Sequence, residues 1–224
     1  MLIFLGPERQ FEERRIMKKG KVIAAICGPS CSGKTETSVA AAKLDPDVRV
    51  YPYDEHDLYP SNTPELQEFM ARGGPPHWEA RELFDTPAFV QNVRRWHDGL
   101  PVCLPANSRE SMATGLDTRI IAPGRINIVE GVHVLSFPEL IPLYDATFFI
   151  EISLEEMVKR RLARHPGSLY PWDLESYITG PLIQGTLECV MDQKPRAQYQ
   201  LDGTKPFEEL AQEVLRIMTA VLQG

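Results

Sequence analysis

Eight consecutive residues, Gly28-Pro29-Ser30-Cys31-Ser32-Gly33-Lys34-Thr35, satisfy G-x-x-x-x-G-K-[ST] at every constrained position. The chemistry of such a segment is phosphate binding. Its glycines let the backbone turn tightly, so that successive N–H groups point inward at phosphate oxygens, and the helix that follows adds the positive end of its dipole. Lys34 then reaches the β- and γ-phosphates, and the Thr35 hydroxyl ligates Mg²⁺. The context fits, because the motif follows an apolar run of strand length, Val22–Cys27, and opens a helical pattern. The motif marks a nucleoside triphosphate site, with Gly28, Ser30, Cys31, Ser32, Gly33, Lys34 and Thr35 as its binding residues.

A phosphate loop does not name a reaction, so the neighbouring acids matter. Ile126–Glu130 is an apolar run ending in a carboxylate and followed by Gly131. An acid at the C-terminal edge of a strand beside the loop stands where Mg²⁺ needs negative charge. Asp54 closes another apolar run at the same edge, where it can accept the proton of an attacking hydroxyl; Glu55 and Asp57 are rivals for that role. The guanine-reading N/T-K-x-D is missing, since Thr204-Lys205-Pro206-Phe207 lacks the acid, and there is no L-S-G-G-Q-like signature of a transport ATPase. A small kinase is the class that remains.

These groups need a scaffold that brings strand ends together. Strands are expected at Val22–Cys27, Val48–Tyr53, Ile126–Val129, Thr147–Ile152 and Tyr199–Leu201. Helices are expected at Lys34–Leu44, Pro87–Asp98, Leu154–Arg164, Trp172–Met191 with a break near Gly180-Pro181, and Phe207–Leu222. Ser153 is the N-cap expected for Leu154–Arg164, with Glu156 at the capping-box position. A Pro/Gly-rich stretch from Pro60 to Pro76 reads as loop with one short helix. Strands apolar throughout and separated by helices imply a parallel sheet covered on both faces. The fold class is α/β, a three-layer phosphate-loop NTPase architecture with the parallel sheet flanked by helices. Residues 1–20, dense in charge from Glu8 to Lys19, read as a flexible N-terminal extension, and residues 21–224 as a single domain.

Composition sets the bounds on partners. The 24 Lys+Arg against 31 Asp+Glu give a net charge of −7, which argues against wrapping nucleic acid but not against binding a small anion. A hydrophobic content of 43% and a charged content of 25% are those of an ordinary globular protein. The apolar start, Met1–Leu5, is too short for a signal peptide, and no run is long enough to span a membrane. Cys27, Cys31, Cys103 and Cys189 form no C-x-x-C pair, and a reducing, cytoplasmic compartment fits them. Oligomeric state leaves no mark in the sequence.

The same residues resemble the uridine kinase and phosphoribulokinase branch of P-loop kinases, which includes nicotinamide riboside and pantothenate kinases. The resemblance spans roughly residues 21–205. G-P-S-C-S-G-K-T is similar to that branch's G-x-S-x-S-G-K-T, and Tyr53-Asp54 followed by Asp57-Leu58-Tyr59 to the segment whose Asp serves as base ahead of an aromatic. Phe84-Asp85-Thr86-Pro87 is similar to F-D-x-P, whose Asp holds acceptor hydroxyls, and Ile128-Val129-Glu130-Gly131-Val132 to V-x-E-G-[IV]. Lys159-Arg160-Arg161-Leu162-Ala163-Arg164 resembles the lid helix R-R-x-x-R. Arg160 and Arg164, four apart, share one face and would neutralise transferred charge, with Arg161 pointing elsewhere.

The departures fall on acceptor recognition. Where uridine kinases carry P-x-Y-D-F followed by H-[ST]-R, this chain has Pro105-Ala106-Asn107-Ser108-Arg109, without the base-stacking aromatic. After the last lid arginine stand His165 and Pro166-Gly167-Ser168. The resemblance implies an ATP- and Mg²⁺-dependent kinase acting on a hydroxyl of a small metabolite, a nucleoside first. Asp54 and Lys34 with Arg160 and Arg164 are then the catalytic groups, Thr35 and Glu130 stand near Mg²⁺, and Asp85, Asn107, Arg109, Tyr59 and His133 contact the acceptor. Trp78 is a further candidate to cap an aromatic or sugar-like substrate. The alternatives are a pantothenate-like, nicotinamide riboside-like or sugar alcohol acceptor, and a non-catalytic nucleotide-binding regulatory module.

Overall fold

The computed structural model describes residues 20–59, 68, 72, 77, 79–106, 115, 118–164 and 178–224. Residues 1–19, most of the 60–76 stretch, Trp78, Asn107, Ser108, Arg109 and residues 165–177 lie outside the described residues, and the expectations attached to them lie there too.

Five strands form one sheet in the order β2-β5-β1-β6-β7: β1 (Val22–Cys27), β2 (Val48–Pro52), β5 (Ile126–Glu130), β6 (Ala146–Glu151) and β7 (Tyr199–Asp202). All four strand pairings are parallel. Alternation along β1 divides the core. Ile23, Ala25 and Cys27 belong to one buried cluster with Tyr51, Phe89, Trp96 and Phe149. Val22, Ala24 and Ile26 belong to another with Ile128, Phe148, Leu210 and Val214. A strand whose side chains are buried on both faces has no polar side to show, which is why these strands read as continuous apolar runs.

Helices α1 (Lys34–Leu44) and α5 (Phe207–Gln223) cover the second face; α2 (Thr86–His97) and the 132–144 segment cover the first. The result is three layers. Helix α3 (Leu154–Arg164) begins as expected, with Ser153 Oγ accepting the Glu156 N–H at 3.1 Å. Glu156 does not complete the capping box. Its carboxylate runs forward to Arg160 Nε at 2.7 Å and Lys159 Nζ at 3.2 Å, because two cations within one turn outbid a single backbone N–H.

Three elements differ from the sequence expectation. Strand β2 stops at Pro52, and Tyr53–His56 forms a 3₁₀ turn, so Asp54 stands on the turn and not on the strand end. Between α2 and β5 lies an unanticipated antiparallel hairpin, β3 (Val102–Pro105) with β4 (Thr118–Ile121). The chain after residue 177 is not one broken helix. It is α4 (Pro181–Gly185), a π-helical turn Thr186–Val190 and a 3₁₀ stretch Met191–Arg196. Gln193 accounts for part of this geometry. Fully buried, it accepts the Leu135 N–H at 3.1 Å and donates to Val132 O at 2.7 Å and Cys189 O at 2.9 Å.

Candidate active site

Register places the C-terminal ends of β1, β2 and β5 side by side, with Ile26 and Pro52 both opposite Glu130. In a parallel sheet this edge is where ligands bind. The phosphate loop leaves β1 there. Gly28 has φ +152°, and a Cβ on it would stand 2.4 Å from Ile150 O; Gly33 caps α1 with φ +98°. Cys31, with φ +60°, holds a left-handed conformation uncommon for a residue with a side chain. Ser32 is buried, and its N–H closes the turn onto Pro29 O at 3.2 Å. Lys34 is buried and donates to Pro29 O at 2.8 Å.

Thr35 Oγ1 donates to Glu130, 3.2 Å and 3.3 Å from its two carboxylate oxygens. Burial pushes the Glu130 carboxyl up to about 8, with the Asp54 charge adding and Lys34 opposing. A buried carboxylate whose side-chain donor among the described residues is one hydroxyl has spare capacity for a cation. Glu130, Thr35 and Asp54 supply hard oxygen donors, and that set fits Mg²⁺. Gly131 follows with no room for a side chain, since a Cβ would meet Tyr53 Cβ at 2.3 Å. This close approach packs the β5 exit against the turn that carries Asp54.

Asp54 opens onto the cleft, yet protein crowds it on enough sides that loss of hydration raises its carboxyl above the usual aspartate range. Lys34, Arg164 and Arg161 pull it back down, and Glu55 raises it. Its two rivals are otherwise engaged. Glu55 is buried and paired with Arg119 at 3.1 Å, and Asp57 Oδ1 accepts the Tyr59 N–H at 2.8 Å. The turn is anchored from behind by His56, whose Nε2 lies 2.7 Å from the Tyr51 hydroxyl; burial lowers the imidazole to about 4, which keeps it neutral.

On the acceptor side the structure rearranges the expected set. Asp85 is the N-cap of α2, its Oδ1 accepting the Ala88 N–H at 3.0 Å. The carboxylate that faces the loop is Glu79. It is 5% exposed and feels Lys34, Arg161 and Asp54; burial raises its carboxyl. No side-chain hydrogen bond engages it among the described residues. Trp78-Glu79 repeats the aromatic–acid pairing of Phe84-Asp85, a signal that the motif match to the latter obscured. Tyr59 packs on Ala80 and Leu83. His133 is fully buried, edge-on to Tyr53 at 5.6 Å and Phe84 at 5.7 Å, beside the Glu79 backbone. Burial drops its imidazole to about 3, so it is a neutral wall of the chamber.

Helix α3 lies across the loop and corrects the face assigned to its arginines. Arg160 Nη1 donates to Cys31 O at 3.3 Å, and Arg161 Nη1 to Ser30 Oγ at 3.1 Å. The helix crosses above the loop, so adjacent residues straddle it, and Arg161 is brought in with Arg160 instead of pointing away. Arg161 also lies near enough to Asp54 and Glu79 to lower both carboxyls. On the outer side, a pocket of about 200 Å³ is bounded by Gly33, Arg160, Arg164, Lys205, Phe207 and Leu210. Its far wall, from β7 and the start of α5, carries no motif and was not legible in the sequence.

No family model matches the chain. It is 26% identical over 195 residues to nicotinamide riboside kinase 2 from Homo sapiens, covering 87% of this chain and 80% of that one. It is 28% identical over 148 residues to uridine kinase from Shewanella amazonensis, covering 64% of this chain and 68% of that one. Phosphoribulokinase from Rhodobacter spheroides shares the fold with a TM-score of 0.63 at 15% identity, over 85% of this chain and 74% of that one. A gluconokinase from Sinorhizobium meliloti does so with a TM-score of 0.52 at 18% identity, over 92% and 95%. No helix among the described residues is long and apolar enough to cross a membrane. A phosphate loop, the strand-end carboxylates beside it and this kinship together make the chain an ATP-dependent P-loop kinase of the uridine kinase and phosphoribulokinase branch.

Proposed function

We propose that the chain phosphorylates a hydroxyl of a ribonucleoside, with nicotinamide riboside and uridine as the first two acceptors to test. The observation that carries this reading is the placement of Asp54 and Glu79 on one side of Lys34 and Arg161, opposite the phosphate loop. A nucleotide-binding module without catalysis has no use for an acceptor chamber of this kind.

In this reading Asp54 takes the proton of the attacking hydroxyl while Glu79 holds a neighbouring hydroxyl of the sugar. The loop amides and Lys34 hold the triphosphate, and Arg161 with Arg160 or Arg164 stabilises charge on the phosphoryl group in flight. Thr35 and Glu130 hold Mg²⁺, which supplies neutralising charge between the phosphates. The nucleotide base occupies the pocket lined by Phe207 and Leu210. No covalent intermediate is needed; alignment and electrostatics carry the step.

Two observations favour nicotinamide riboside over uridine. The match to nicotinamide riboside kinase 2 runs over more of the chain than the match to uridine kinase. The chamber is also walled by the aromatic rings of Tyr53 and Phe84 and carries the Glu79 carboxylate, surroundings that suit a cationic ring. A panel of nucleosides, pantothenate and sugar alcohols, scored for ADP release with Lys34→Ala as control, tests the reading. Turnover of a ribonucleoside that is lost in the control supports it; turnover confined to pantothenate or a sugar alcohol moves the acceptor to another class.

A further inference from the structure

Gly185 closes α4 with φ −60° and ψ −38°, ordinary helical angles that alanine adopts more readily than glycine. Its backbone therefore gives no reason for a glycine. Space does: a Cβ here would stand 2.4 Å from His77 Nδ1, 2.6 Å from Cγ and 3.0 Å from Cε1. The His77 ring is 5% exposed, with Nε2 3.8 Å from Glu188 Oε2 on the π-helical turn, and its Nδ1 has no hydrogen-bond partner. The imidazole is thus wedged between bare helix backbone and a carboxylate on the same segment.

What the ring holds is the turn that delivers Glu79. The Ala80 N–H donates to His77 O at 3.4 Å, so His77 through Ala80 close on themselves, and the ring fixes where that turn sits. The segment carrying Gly185 also grips the root of the arginine helix. Thr186 Oγ1 lies 3.5 Å from Met157 Sδ, and Leu182 shares a buried cluster with Met157 and Ile178. One short stretch of chain therefore touches both the acceptor loop and the helix that crosses the phosphate loop.

We propose that Gly185 and His77 form a latch that positions the Glu79 turn, making both of them positioning residues for acceptor binding. The role in acceptor binding rests on the reading of Glu79 given above; the latch itself rests on packing alone. A side chain at 185 would displace the ring and with it the turn. Removing the ring would leave the turn without its backstop.

The test compares the full chain with Gly185→Ala, His77→Ala and the double variant. Amide hydrogen exchange in peptides covering 79–85 is expected to quicken at least fivefold in each single variant, with peptides covering 28–35 unchanged. With nicotinamide riboside and uridine as probes, acceptor KM is expected to rise about tenfold while kcat and the ATP KM stay within twofold. The double variant is expected to be no worse than the worse single one, because both changes break one contact. Unchanged exchange over 79–85, equal quickening over 28–35, or an ATP KM that rises in step with the acceptor KM overturns the latch. Should Gly185→Ala fail to fold, His77→Ala carries the same expectations. If the unaltered chain phosphorylates neither probe, the acceptor reading falls, and hydrogen exchange alone decides whether the latch exists.

Discussion

Thr35 Oγ1 sits 3.2 Å and 3.3 Å from the two carboxylate oxygens of Glu130, so the last residue of the phosphate loop is tied to the end of the neighbouring strand. Glu130 is 3% exposed, and burial, helped by the Asp54 charge, lifts its carboxyl to about 8. The folded nucleotide-free chain therefore keeps a proton that the unfolded chain gives up near the ordinary glutamate value. Stability is fullest below that ordinary value and falls as pH rises towards about 8.

Denaturant unfolding of the nucleotide-free chain across pH 5 to 8.5 is the check. A loss on the order of 2 kcal/mol is expected, less than the full linkage because Asp54 and Glu130 share their protons. Asp54 and Glu79, also raised, contribute with the same sign. Glu130→Gln should flatten much of the slope. Parallel profiles for the two proteins would show that Glu130 is not the group responsible.

Glu79 and Asp85 separate by function. Glu79→Gln is expected to raise acceptor KM at least tenfold with the ATP KM unchanged. Asp85→Ala should instead cost about 1 kcal/mol of stability through the lost cap on α2, with acceptor KM nearly normal. Steady-state kinetics and thermal unfolding of both variants decide the matter, and the opposite pattern would return the acceptor role to Asp85.

Arg161 and Arg160 differ in how free they are to serve the phosphoryl group. Arg160 is already held by Glu156 at 2.7 Å, whereas Arg161 reaches Ser30 and lies close to Asp54 and Glu79. Arg161→Lys keeps the charge and loses the planar fork, and should lower kcat about 100-fold. Arg160→Ala should lower it less. Equal losses, measured as single-turnover rates, would contradict this ranking.

Gln193 locks the segment after β5 to the C-terminal half of the chain with every polar atom satisfied. Gln193→Leu keeps the volume but strands the Leu135 N–H and the carbonyls of Val132 and Cys189. Each stranded group costs free energy, and a loss of about 3 kcal/mol is expected in denaturant unfolding.

The phosphate loop and the central strands were legible because their signals are local: spacing in Gly28–Thr35, and apolar runs in strands buried on both faces. Helix α3 was legible from Ser153 and its periodicity. The β3–β4 hairpin was not, since four-residue strands with Ile120 exposed give no clear alternation. Glu79 was hidden because tertiary packing, through His77 and Gly185, brings it into the site. Arg161 was misplaced for a related reason: periodicity tells which residues share a helix face but not how the helix crosses its neighbour. The pocket wall at Lys205 and Phe207 belongs to β7 and α5, far along the chain from the loop it completes.

The central claim is that Asp54 is the base of a phosphoryl transfer, and Asp54→Asn tests it most directly. With the best acceptor from the panel, ADP release in the variant is expected to fall about 1,000-fold while ATP affinity, measured by direct titration, changes less than twofold. Turnover that survives the substitution within a few-fold of the unaltered chain would contradict the account.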